Sequence, residues 1–188
     1  KRFLIYDNAG VDDRSSYKST QTDSNLPEVL KDYIKDGTVL LIKWPYNKRL
    51  PKSGISGQTC QQNHSINVFK KSKYIALFDV DEYINMQKYD DVNIFLEKLI
   101  EEKNIDLDKT GSFLLKNRFF HNPEGKPVND YEFLKIDDCE NVSKAGHYKN
   151  FVIPKNVIAY SVHIITNGKN MYHVSPDLMY FNHYYYLN

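Results

Sequence analysis

The chain has 188 residues, enough to bury the core of a single domain. Its 25 basic and 24 acidic residues leave a net charge of +1, which excludes the basic excess of a nucleic-acid-binding protein. Its apolar runs are all strand-sized, which excludes a membrane-spanning helix in this chain.

The opening Lys1-Arg2-Phe3 has neither Met nor a signal-peptide pattern and reads as the interior of a longer protein. Phe3-Leu4-Ile5-Tyr6 is a short apolar run that stops at Asp7-Asn8. A polar loop follows from Ala9 to Asn25. Pro27, with Val29, Leu30, Tyr33 and Ile34 on one face, then predicts a helix that Gly37 can end. Val39-Leu40-Leu41-Ile42 is a second apolar run, ending at Lys43-Trp44-Pro45. The Pro-, Gly-, Lys- and Ser-rich stretch from Tyr46 to Gly57 reads as a long loop. Gln58 to Lys71 is read as a weakly amphipathic helix and Tyr74 to Phe78 as a third strand.

Strands that are apolar throughout, alternating with helices, predict an α/β protein with a mostly parallel sheet covered on both faces. Ligands then sit beyond the carboxyl ends of the strands, so Asp7-Asn8, Lys43-Trp44 and Asp79-Val80-Asp81 are expected to converge on one cleft. Farther on, Asp90 or Asp91 can cap a helix carrying the stripe Val92, Phe95, Leu96 and Leu99. Ser112 to Phe120 reads as one strand. Phe133-Leu134, Phe151 to Ile153, Val157 to Val162 and Met171 to Val174 are short strand candidates, so the second half is expected to be mixed or antiparallel. One domain is predicted over 1–188, with a nucleotide-binding half over 1–85 and an acceptor-side half over 86–188. Cys60 and Cys139 make no disulfide framework and read as reduced thiols.

Lys73 to Tyr83 concentrates the chemistry. An apolar run ends at two aspartates one residue apart. A buried strand has no use for Asp, so Asp79 and Asp81 belong where the chain leaves the sheet, side by side if the strand continues. Paired carboxylates there suit a hard divalent cation, whose oxygen ligands are often shared with a phosphate. The competing reading is a pair of turn-forming loop aspartates. His183 is a candidate nitrogen ligand, against the plainer reading of a surface histidine; His64, His121, His147, His163 and His173 face the same alternative. Asp7, Asn8, Asp12 and Asp13 can hydrogen-bond a base or ribose or simply shape turns. Gln58 and Asn63 lie on the helix before the third strand. Trp44 can stack on a ring, and Lys43 and Arg49 can meet phosphates. For a general base the sequence offers Asp130, Glu132, Asp137, Asp138 and Glu82, none singled out by spacing, with Asp130 and Glu132 the expected pair.

Four motifs carry a resemblance to a known family. Ile5-Tyr6-Asp7-Asn8 followed by Asp12 and Asp13 is similar to a "YDN-S-x-D" motif. Gln58 with Asn63-His64-Ser65-Ile66 is similar to "Q…NHCL". Ala76 to Tyr83 is similar to "AFxDxDEF", and His183-Tyr184 to a closing "HY". In this order and spacing the chain resembles GT-A-fold glycosyltransferases related to families 2 and 92, the domain-of-unknown-function-23 group. Such enzymes also occur in large DNA viruses of algae, the chloroviruses. The resemblance implies a Rossmann-like fold, a uridine diphosphate (UDP) sugar donor, Mn²⁺ or Mg²⁺, a glycan or glycoprotein acceptor, and a cytoplasmic location (host cytoplasm for a viral protein). Carried over by position, Asp79 would contact the ribose and also the metal, Asp81 and His183 would ligate the metal, and Asp7 and Asn8 would lie near the uracil. The chain departs from the pattern in three places. Ala9 stands where the group has Ser, the strand and helix that usually precede "YDN" are missing, and no acid matches an inverting-type base.

Two other functions share these features. A non-catalytic nucleotide-sugar or carbohydrate-binding domain of a larger enzyme would bind donor without turnover. A haloacid-dehalogenase-like phosphohydrolase would also place DxD after an apolar strand, but Tyr83 stands where that motif wants Thr or Val.

Overall fold

In the computed structural model, the residues described are 2–7, 24–44, 57–120 and 147–184. They form a mixed α/β protein with several sheets and few helices. The chain parts into two compact units, Lys1–Val68 and Phe69–Asn188.

In the first unit β1 (Phe3–Asp7) and β2 (Val39–Lys43) form a parallel pair with Phe3 opposite Val39 and Asp7 opposite Lys43. The helix expected between them is two short pieces, α1 (Leu26–Val29) and α2 (Lys31–Lys35), separated at Leu30. Neither piece buries a residue, so no packing holds the two turns in one regular helix. Gly37 follows at φ +77°, a left-handed conformation that favours glycine, and the chain turns into β2. α3 (Gly57–Val68) buries Gln62, Ser65 and Ile66.

The second unit is built on a four-stranded sheet in the order β10 (Asn170–His173), β5 (Thr110–Leu115), β7 (Lys149–Val152), β3 (Ile75–Leu77). β10 and β5 are parallel, whereas β7 runs antiparallel to both β5 and β3. The expectation that β3 extends a parallel ladder is therefore corrected: its hydrogen-bonded neighbour is an antiparallel strand from late in the chain. An uninterrupted apolar run does not report the direction of the partner, nor burial on both faces, since Ala76 in the middle of β3 is exposed.

A three-stranded sheet joins β4 (Glu82–Met86), β11 (Met179–Tyr184) and β6 (Asn117–Phe120), with β11 in the centre, antiparallel to β4 and parallel to β6. The predicted strand from Ser112 to Phe120 is thus two strands in two sheets. The chain changes sheet at Lys116, whose carbonyl accepts the Phe181 N–H at 3.0 Å. β8 (Val157–Ser161) and β9 (Ile164–Gly168) make a separate hairpin.

α4 (Val92–Lys103) buries Phe95, Leu96 and Leu99 in the core of this unit, with Phe113, Leu115, Phe151, Ile153, Val174, Met179 and Phe181. Each such side chain contributes roughly 1.5–3 kcal/mol. Asn104, in the left-handed conformation at φ 48°, ends the helix. Asp91 starts it by accepting the Asn93 N–H at 2.7 Å. Asp91→Ala is expected to cost about 1 kcal/mol, read as a lower urea midpoint at unchanged slope; an unchanged midpoint would remove this role for the cap.

Candidate active site

The acidic motif does not continue β3. The strand stops at Leu77, and the next residues fold into a tight turn in which the Glu82 N–H donates to the Asp79 carbonyl at 3.2 Å. Val80 at the tip is 95% exposed. The turn feeds directly into β4, so the motif is the hinge between the two sheets of this unit. Its far side is pinned by β11, where the Tyr184 N–H donates to the Asp81 carbonyl at 3.1 Å.

β11 also delivers the imidazole. His183 is paired with Glu82 across the β11–β4 ladder and with Phe119 across the β11–β6 ladder. Directly opposed residues project from the same face. His183 Nε2 accordingly lies 3.5 Å from Asp81 Oδ2, and Nδ1 lies 3.6 Å from Glu82 Oε1. The Phe119 ring lies over the imidazole at 5.2 Å between centroids. Asp81, Glu82 and His183 bring their ligand atoms within 4.8 Å of one another. Bonds of about 2.0–2.6 Å to a hard divalent cation put opposite ligands about 4–5 Å apart, so this donor set fits such an ion. Two carboxylates and one imidazole also fit Mn²⁺ chemically.

Asp79 is engaged otherwise. Its Oδ2 accepts from Lys149 Nζ at 2.5 Å, and the same ammonium lies 3.0 Å from Glu82 Oε2. Lys149 opens β7, and both its side chain and that of Glu82 are 1% exposed. Glu82 Oε2 also accepts the Asp79 N–H at 2.8 Å, whereas Oε1 is buried with no hydrogen-bond partner among the described residues. Burial pushes the Glu82 carboxyl above its ordinary range, against the pull of the Lys149 charge and the Asp79 N–H. Asp81 is held below its ordinary range, chiefly by its contact with His183.

Behind Lys149 lies a polar network. Asn150 accepts from Ser112 Oγ at 2.8 Å and donates to the Tyr160 hydroxyl and the His163 carbonyl, both at 2.8 Å. It satisfies the buried polar groups next to the ion pair and holds β7 in register.

The other expected site residues are distributed as follows. Asp7 ends β1 opposite Lys43, and its carbonyl accepts the Trp44 N–H at 2.6 Å. Gln58 lies in the first turn of α3. Asn63 donates to the Thr59 carbonyl within that helix at 2.8 Å. The Tyr6 hydroxyl meets His64 Nδ1 at 2.7 Å, and both rings pack against Trp44. Burial pushes the Tyr6 hydroxyl up to about 12. These residues all belong to the first unit; Asp79, Asp81 and His183 belong to the second. Asn8, Asp12, Asp13, Arg49, His121, Asp130, Glu132, Asp137, Asp138 and Cys139 lie outside the described residues. Cys60 is an exposed free thiol. Among the described residues no helix is long and apolar enough to cross a membrane.

The sequence reading missed Lys149 and gave Glu82 no part in the cation site. The available signal was a lysine at the head of the apolar run Phe151 to Ile153, where a charge has to be paired.

The sequence model of Glycosyltransferase family 92 matches residues 6–188, nearly the whole chain. The chain belongs to that family. No curated protein matches it.

Proposed function

We propose that this family 92 domain transfers a sugar from a UDP-sugar to an acceptor hydroxyl on a glycan or glycoprotein, with Mn²⁺ or Mg²⁺ held at the acidic turn. The observation that carries the reading is the meeting of Asp81 and His183 where the turn after β3 is pinned by β11. A GT-A-type scaffold is supported by the parallel β1–β2 pair and by the acidic turn at the end of β3.

Asp81 and His183 hold the cation. When bound, such an ion stabilises the charge that develops on a leaving nucleoside diphosphate. Asp79, fixed by Lys149, meets a ribose hydroxyl of the donor without having to be ordered on binding. Asp7, Asn8, Asp12, Asp13, Lys43 and Gln58 are the candidates for further donor contacts. In the transfer, the bond from the sugar's anomeric carbon to the diphosphate oxygen breaks and a bond to the acceptor oxygen forms. The acceptor's proton passes to a base, for which Asp130 and Glu132 are the candidates.

Calorimetric titration with UDP tests the reading most directly. Binding is expected in the presence of Mn²⁺ and at least tenfold weaker without it, and Asp81→Ala or His183→Ala should remove that difference. UDP binding that ignores both the metal and Asp81 would overturn the site.

A further inference from the structure

We propose that Glu82 is the third protein ligand of the cation, and that Asp79 lies outside its coordination shell. The inference rests on the metal-dependent reading above and changes the ligand set that the family resemblance implies, in which Asp79 shares the ion.

Four observations carry it. The donor atoms that cluster closely enough for one ion come from Asp81, Glu82 and His183; Asp79 is not among them. Asp79 Oδ2 lies 2.5 Å from the ammonium of Lys149, so that oxygen is already committed to a cation. The two oxygens of Glu82 are divided: Oε2 takes Lys149 and the Asp79 N–H, while Oε1 has no hydrogen-bond partner among the described residues and lies 3.6 Å from His183 Nδ1. A side chain 1% exposed with one oxygen left over is costly unless something fills that place, and a cation shared with Asp81 and His183 does so. The charges also balance. Three carboxylates (Asp79, Asp81, Glu82) and one ammonium (Lys149) sum to −2, the complement of a divalent ion.

The backbone explains why the neighbours Asp81 and Glu82 converge. On a regular strand they would face opposite ways. Asp81, however, precedes β4 and belongs to the turn, whereas Glu82 is the first residue of the ladder opposite His183.

The test is the affinity of the full chain for Mn²⁺ alone, read by electron paramagnetic resonance of the free ion, without nucleotide. Glu82→Gln and Asp81→Asn are each expected to weaken Mn²⁺ binding tenfold or more, and Asp79→Asn to change it less than threefold. If Glu82→Gln binds Mn²⁺ like the parent while Asp81→Asn does not, the cation site stands and the role of Glu82 falls. A tenfold loss in Asp79→Asn also overturns the proposal. That arm decides even if Glu82→Gln does not fold, because Asp79 is half-exposed and Asn still accepts from Lys149. Unchanged Mn²⁺ binding in Asp81→Asn would overturn the metal-dependent reading and this inference together.

Discussion

Asp81→Asn is expected to lower metal-dependent turnover of a UDP-sugar by about 10²–10³-fold, equivalent to about 3–4 kcal/mol of transition-state stabilisation. The substitution keeps size and shape but removes the charge that faces His183 Nε2 at 3.5 Å. It also spares the fold. The Asp81 side chain is 41% exposed, and the bond that pins the turn to β11 uses the backbone carbonyl. Circular dichroism and the melting temperature should therefore stay close to the parent while hydrolysis of a UDP-sugar panel collapses. Parental turnover in this variant would remove the acidic turn from the chemistry.

Lys149→Met should act in the opposite manner, on the fold as a whole. Lys149 and Glu82 are a buried pair, each 1% exposed in the side chain. Removing one member strands the other's charge, at a cost of about 3–5 kcal/mol. The loss should depend on pH with a definite sign. Burial already raises the Glu82 carboxyl above its ordinary range even with the ammonium beside it, and without that ammonium it rises further. A carboxyl whose folded pKa exceeds its unfolded value keeps its full contribution below the unfolded pKa and loses it as pH rises through the folded one. Urea denaturation of Lys149→Met should thus show a larger deficit at pH 8 than at pH 5. A deficit that is flat with pH, or below 1 kcal/mol at pH 8, would mean that the pair is not what holds this corner together.

What was legible in the sequence followed from local physics. α4 was readable because a capping Asp91 precedes a stripe at helical spacing, and both signals lie within one segment. The acidic motif was readable because carboxylates cannot sit inside an apolar strand. The pairing around it was not. β11 joins β4 and β6, whose residues are distant in sequence, and its Met-Tyr-Phe-Asn-His-Tyr has no turn signal to mark it as a central strand. The same non-locality hid Lys149, whose partners Asp79 and Glu82 belong to an earlier part of the chain. The single helix expected between Pro27 and Ile34 broke at Leu30 because periodicity describes which face would be buried, and here no face is.

The placing of His183 on the middle strand of its sheet bears on biosynthesis. Glu82 and Asp81 are translated well before their partner across the ladder, and α4, β5, β6 and β7 are laid down in between. A nascent fragment lacking β11 therefore carries the acidic turn without its imidazole partner. The cluster of Asp81, Glu82 and His183 is thereby complete only once translation has passed His183.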